Sequence, residues 1–189
     1  HQVTLIDADA QRTSADWAEE RESSSEALAH VAAQAMSGDL TRTLLDLPSA
    51  NTYVVDCGGR DSKEMRSTMV AADVLILPLR AKRRDLKTLH HLAEVIDQAR
   101  ILNPDLVVRA VITQAPTLPS QYPRIWDAKE VASSYDIESL DPVIFSRNVY
   151  DDAEEAGLSV YEASDPKAIE EINAVIDGIF EIRPQNENN

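Results

Sequence analysis

Four short stretches of the sequence are largely apolar and lack the alternation of apolar and polar residues that is typical of a half-buried strand. They cover residues 3–6, 53–55, 74–77 and 106–112. A strand that is apolar on both sides is buried on both faces, as in parallel sheets covered by helices. The sequence therefore predicts an α/β fold in three layers, with a mostly parallel sheet and helices on both of its faces.

Segments with a helical spacing of apolar residues separate these strands. Asp85 is placed to cap a helix over residues 85–102, and Pro166 suits the first turn of a helix over residues 166–182. The other predicted helices cover residues 40–47, 64–72, 126–135 and 149–156. Residues 27–35 fit either a helix or an edge strand.

Length, charge and cysteine content narrow the class of protein. The 189 residues suit one domain over residues 1–183, followed by a polar tail at 184–189. No apolar run approaches the ~18 residues of a membrane span. With Cys57 as the only cysteine there is no disulfide framework, which favours the cytoplasm. The net charge of −15 excludes a domain-wide electrostatic grip on nucleic acid.

Acids and glycines follow two of the predicted strands. Asp7 and Asp9 end the first, and Asp56, Gly58 and Gly59 follow the second. Ligands of open α/β sheets bind beyond the carboxyl ends of the strands, where carboxylates can hold hydrated Mg²⁺ and a Gly-Gly turn lets backbone N–H groups approach a phosphate. Because aspartate also favours turns, an acid-ended strand without a function is the alternative.

Three longer segments resemble the ParA/MinD family of deviant Walker ATPases. "VTLIDADAQRTSADW" is similar to the family's second strand and switch I, and "YVVDCGGRDSKEMRSTMVAADVLILPLR" to its Walker B strand, switch II and the following helix and strand. "VIFSRNVYDDAEEAGLSVYE" is similar to its late Arg–Asp-Ala–Gly segment. The resemblance implies a P-loop NTPase-like fold, ATP and Mg²⁺ as ligands, and a sandwich dimer that hydrolyses ATP.

The resemblance also implies roles for the acids. Asp9 matches the switch I aspartate that helps to position the attacking water and is the expected catalytic residue. Asp7 matches the preceding aspartate, tied to Mg²⁺ and the P-loop on the nucleotide-binding side. Asp56 matches the Walker B aspartate, which reaches Mg²⁺ through water.

Four further residues receive nucleotide-binding roles from the resemblance. Gly58 and Gly59 match the switch II turn near the terminal phosphate. Thr113 and Gln114 fall where the family usually has an asparagine-based contact to adenine, so this substitution leaves the base specificity open.

The family's N-terminal strand, glycine-rich P-loop and helix have no counterpart in the sequence. None of the five glycines is followed directly by a lysine. We expect a chain that truly starts at His1 to bind ATP·Mg²⁺ negligibly, since the P-loop supplies the phosphate cradle. We also expect the strands beside the missing one to expose apolar faces and hydrogen-bonding edges.

A basic cluster follows the third predicted strand and comprises Arg80, Lys82, Arg83 and Arg84. It is either a solvated loop or a patch that binds DNA phosphates or an acidic partner. Among the remaining residues, Cys57 is expected to be a small packed side chain, and Trp17 and Trp126 to be half-buried.

Two functions from different classes remain. In the first, the protein is a cytoplasmic ParA-like ATPase for plasmid or chromosome partition. It dimerises on ATP, is stimulated by a ParB-like or other activating partner, and binds DNA without sequence preference. In the second, it is a non-catalytic binding module or a truncated remnant of this fold. A relative that serves conjugal transfer or cellular positioning is a variant of the first.

Overall fold

The four apolar runs form strands, and two further strands join them. A computed structural model describes residues 2–24, 28–82 and 86–182 of the chain. Its strands are Val3–Asp7 (β1), Ala33–Ala35 (β2), Thr52–Asp56 (β3), Val74–Arg80 (β4), Val107–Ala115 (β5) and Glu138–Phe145 (β6). The predicted tail at 184–189 lies outside the described residues.

The strands pair in parallel, as the sequence predicts, but in two sheets of three strands with the orders β2-β1-β3 and β4-β5-β6. Helices lie on both sides, so the α/β fold class is confirmed. β3 and β4 are each the edge strand of a sheet, and no described strand pairs with their second edges. Val54 on β3 is 51% exposed, which is unusual for a valine in a strand of such a fold.

Helices occupy the connections between the strands. They are Thr13–Glu22 (α1), Thr41–Leu45 (α2), Lys63–Ala71 (α3), Leu89–Leu102 (α4), Pro123–Ser133 (α5), Asn148–Glu155 (α6), Val160–Ala163 (α7) and Pro166–Ile182 (α8). A short 3-10 turn at Pro119–Gln121 precedes α5. The predicted cap of α4, Asp85, lies outside the described residues. Among the helices described, none has both the length and the apolar character required to cross a bilayer.

The larger hydrophobic core belongs to the second sheet. Met65 and Met69 of α3, Ile96 of α4 and Val108 and Ile112 of β5 are buried in it. Cys57, which follows β3, packs against the same core, so the packed role expected for this residue is confirmed. α3 thus connects the two sheets: it follows a strand of the first and buries its apolar face against the second.

Two strands are poorly marked in the sequence. Of the 27–35 stretch, which fits either a helix or an edge strand, residues 33–35 form an edge strand and residues 28–32 form neither, while residue 27 lies outside the described residues. The first half of β6 is mostly polar and is followed by Pro142, and its pairing with β5 is irregular. Proline removes a backbone donor and is confined to edge strands and bulges, which fits the position of β6 at the edge of its sheet.

A buried arginine links α1 to the C-terminal part of the chain. The Arg21 side chain is only 3% exposed and forms an ion pair of 2.8 Å with Glu162 on α7. It also donates to the carbonyl oxygens of Gly157 and Ala29 and stacks on the half-buried Trp17.

Trp126, which was also expected to be half-buried, is instead 68% exposed on α5, so this prediction is wrong.

Candidate functional site

The two acid-ended strands lie side by side at the carboxyl edge of the first sheet. Asp7 of β1 and Asp56 of β3 are register partners. Residues in register on adjacent parallel strands project to the same face of the sheet, so both carboxylates point toward the side where α1 begins. The sequence predicted both strand ends, and the structure brings them together.

Asp7 holds the loop between β1 and α1. Its side chain is completely buried. Oδ1 accepts the Asp9 backbone N–H at 3.0 Å, and Oδ2 accepts that of Ala15, the third residue of α1, at 2.8 Å. The first N–H groups of a helix have no partner within the helix and carry a partial positive charge, so a carboxylate there both caps and stabilises α1.

Asp56 is half-buried, and its carboxylate contacts the same helix by accepting a hydrogen bond from a serine hydroxyl. Ser14 on the first turn of α1 donates to Asp56 Oδ2 at 2.5 Å. The main-chain oxygen of Asp56 accepts the Ala8 N–H at 2.8 Å, which fixes the backbone of the loop against β3. Ser14 was not identified from the sequence. It lies within the switch I-like segment, but its partner is 42 residues away and no local pattern predicts that contact.

Asp9 lies directly against Gly58. A Cβ built on Gly58 would stand 3.0 Å from Asp9 Oδ2, closer than carbon and oxygen normally approach. Asp9 Oδ1 accepts the Gln11 N–H at 3.0 Å, so its carboxylate is held by its own loop. A Cβ on Gly59 would have no atom within 4 Å. The contact with Asp9 thus leaves little room for a side chain at position 58. Gly59 has free space around it, so its backbone is accessible to a ligand.

Thr113 and Gln114 lie at the end of β5 in the second sheet. The pairing of β5 with β6 shifts register between Ile112 and Ala115, and Gln114 in this bulge has a φ of +48°. A non-glycine residue in the left-handed region carries strain of about 1 kcal/mol or more and often marks a functional position. No described hydrogen bond or ion pair joins these residues to the three aspartates.

The basic cluster is described only in part. Arg80 is the last residue of β4 and the register partner of Thr113, and both Arg80 and Lys82 are exposed. Arg83 and Arg84 lie outside the described residues. The described cations therefore stand at the carboxyl end of a strand, on the edge predicted for ligand binding.

The electrostatic surroundings of the second strand end differ between its residues. Burial raises the pKa of the Cys57 thiol, which donates weakly to the Thr68 hydroxyl. A hydrogen bond from Arg66 lowers the pKa of Asp61, and the two side chains approach to 2.6 Å. A thiol with a raised pKa carries little thiolate, so Cys57 is unsuited to nucleophilic chemistry.

The donor set fits hydrated Mg²⁺ bound by few protein groups. In the described part of the chain, no three His, Cys, Asp or Glu side chains converge to hold a metal ion by themselves. Mg²⁺ usually keeps several waters and is bound through one or two carboxylates together with substrate phosphates. Asp56 has one oxygen engaged by Ser14, and no described hydrogen bond occupies the other.

The fold is shared with solved structures of McdA and of a plasmid partition protein. The chain resembles Cyanothece McdA in its apo form with a TM-score of 0.72 and 16% identity, over 94% of this chain and 87% of that one. An ATP complex of a Cyanothece McdA variant matches with a TM-score of 0.66 and 16% identity, over 95% and 85% of the two chains.

A plasmid partition protein from Borrelia burgdorferi matches with a TM-score of 0.62 and 15% identity, over 96% of this chain and 86% of that one. Neither a protein-family model nor a curated protein sequence matches the chain. At these identities the likeness establishes the ParA-like fold, as the sequence resemblance implied.

Proposed function

We propose that this chain is the switch-bearing part of a ParA-like ATPase that binds ATP with Mg²⁺ and serves the partition of a plasmid or chromosome. The observation that supports it most directly is the Asp7–Asp56 register pair at one sheet edge, with Asp9 packed on Gly58 beside it. Acids at these strand ends, in a fold shared with an ATP-bound relative, are what phosphate-linked Mg²⁺ requires.

Each acid has a distinct part in this proposal. A Mg²⁺ ion held with ATP would supply positive charge against the phosphates. Asp56 would hold the hydrated ion through the carboxylate oxygen that Ser14 does not engage. Asp9 stands at the Gly58–Gly59 turn and orients a water for attack. Asp7 holds the backbone of the loop and of α1 with both of its oxygens, and so supports the nucleotide-binding side of the site from the end of β1.

The phosphate cradle is the part of the site that the described residues do not supply. We propose that a strand, a P-loop and a helix complete it, with the strand beside β3 or β4, whose second edges have no described partner. An unpaired edge strand that carries an exposed valine, as β3 does with Val54, is otherwise prone to pair with another chain.

The wider assignment follows the same comparison. The full protein would form a dimer on ATP binding, meet a ParB-like or other activating partner, and use the basic cluster at the end of β4 to contact DNA phosphates. It would work in the cytoplasm. The cargo is proposed as a plasmid or chromosome because a relative of the same fold is a plasmid partition protein.

The test is nucleotide binding by the full-length protein with and without Mg²⁺, compared with Asp56→Ala and with a matched control, Asp46→Ala. Asp46 is exposed and lies just beyond the end of α2, away from the site. We expect the parent and the control to bind ATP with an affinity that rises with Mg²⁺, and Asp56→Ala to lose that rise. A full-length parent that binds no ATP would favour the alternative, a non-catalytic binding module.

A further inference from the structure

The first turn of α1 joins the two aspartates of the register pair. Asp7 Oδ2 accepts the N–H of Ala15, and Ser14, one residue earlier, donates its hydroxyl to Asp56 Oδ2. Asp7 is completely buried at the end of β1, and both of its oxygens accept backbone N–H groups. These hydrogen bonds hold the first turn of α1 in place against β1. The backbone that carries Ser14 is therefore held close to Asp56, and only the short serine side chain separates the two.

From this arrangement we propose that Ser14 is a positioning residue for Asp56. It holds Oδ2, which fixes the carboxylate plane and leaves Oδ1 to accept from water in the shell of Mg²⁺. This inference rests on the proposed function and names a residue that the sequence motifs did not assign.

The chemistry of the contact supports this role. A hydroxyl-to-carboxylate hydrogen bond is charge-assisted, short and stronger than a neutral one. A carboxylate with one fixed oxygen loses rotational freedom before the ligand arrives, so less ordering is required on binding. Outer-sphere partners of this kind commonly orient the groups that bind a metal, and their removal lowers metal affinity.

Three variants of the full-length protein separate this role from general destabilisation. Ser14→Ala removes the hydroxyl, and Ser14→Thr retains it. Ser23→Ala removes a hydroxyl at the other end of the same helix, where Ser23 donates to the Glu19 carbonyl oxygen at 3.2 Å. Melting temperatures identify any variant that fails to fold. If Ser14→Ala fails to fold, Ser14→Thr, which retains the hydroxyl, is compared with the parent in its place.

The measurement is the affinity for a fluorescent ATP analogue across a Mg²⁺ series and in EDTA. We expect Ser14→Ala to require on the order of tenfold more Mg²⁺ for half of its effect, as loss of one hydrogen bond to a charged group implies. Affinity in EDTA should be unchanged, and Ser14→Thr and Ser23→Ala should match the parent. An unchanged Mg²⁺ requirement in Ser14→Ala, or an equal loss with and without Mg²⁺, would overturn the proposal.

A second measurement tests the Ser14–Asp56 hydrogen bond independently of nucleotide binding. The carboxyl carbon of Asp56, observed by NMR and identified by its loss in Asp56→Asn, should shift in Ser14→Ala but not in Ser23→Ala. If the parent binds no nucleotide, the proposed function fails. The carbon shift then decides alone whether Ser14 holds Asp56, and an unmoved signal overturns the inference.

Discussion

Gly58 lies against Asp9 so closely that a methyl group at Gly58 would stand 3.0 Å from the Asp9 carboxylate. Gly58→Ala should therefore push this carboxylate away from its present position, while the fold tolerates the change because Asp9 is only half-buried. We expect the ATPase rate of the full-length protein to fall on the order of tenfold or more, since small displacements of a catalytic group are costly. Steady-state phosphate release measures this.

Gly59→Ala is the matched control, because the added methyl would meet no atom within 4 Å and the glycine does not have a positive φ. In this variant Asp9 should keep its position, as judged by the carboxyl-carbon NMR signal of Asp9 itself, and the ATPase rate should match the parent. Equal ATPase rates in Gly58→Ala and the parent would show that the position of Asp9 is irrelevant to turnover.

Asp9→Ala should separate turnover from binding. A water-positioning group acts mainly in the transition state, so its loss lowers the rate more than the affinity. We expect hydrolysis to fall by about a hundredfold while ATP affinity changes little. Single-turnover kinetics and equilibrium binding on the same preparation test this, and an Asp9→Ala protein that turns over at the parent rate would contradict the assigned role.

Arg21→Ala should destabilise the protein strongly. The variant leaves Glu162 without its cation and two carbonyl oxygens without a donor. Removing one partner of a largely buried ion pair costs about 3 kcal/mol or more. Denaturant unfolding gives the free energy. Arg12→Ala is the control, because the Arg12 ion pairs are exposed and should contribute little.

The same ion pair should make stability depend on pH. The hydrogen bond from Arg21 lowers the pKa of Glu162 well below its ordinary value of 4.5. A carboxyl with a lowered folded-state pKa contributes stability above its unfolded pKa and loses it as the pH falls. The difference in unfolding free energy between the parent and Glu162→Gln should thus be constant above about pH 5 and shrink in more acidic buffer. A difference that does not vary between pH 7 and pH 3 would refute this.

DNA binding should depend on the basic cluster. At a net charge of −15 only clustered cations can attract a duplex, and dimerisation would double the cluster. We expect Arg83→Glu/Arg84→Glu to weaken ATP-dependent binding to non-specific DNA and to flatten its salt dependence. The control, Arg42→Glu/Arg124→Glu, makes the same charge change at two exposed positions elsewhere. Identical salt slopes in the two double variants would clear the cluster of this role.

Part of this structure follows from local sequence alone. Largely apolar runs predicted β1, β3, β4 and β5, because a strand buried on both faces is apolar at nearly all of its positions. The predicted bounds of the last helix agree with Pro166–Ile182, since its apolar spacing and its proline at the first turn act within the segment. The sequence also predicts that Asp7 and Asp56 stand at the carboxyl ends of β1 and β3, where ligands of open α/β sheets bind.

The relationships within the site required the tertiary structure. The Asp7–Asp56 register, the Ser14–Asp56 hydrogen bond and the Gly58–Asp9 contact each join residues distant in sequence. Arginine usually lies at the surface, and no local pattern marks Arg21 as an exception. It is buried because Glu162 and two carbonyl oxygens pair with its guanidinium group. The local sequence pattern indicates which side chains prefer burial or a turn. Which of them meet depends on strand register and on helix packing, and these are decided by contacts made only when the chain has folded.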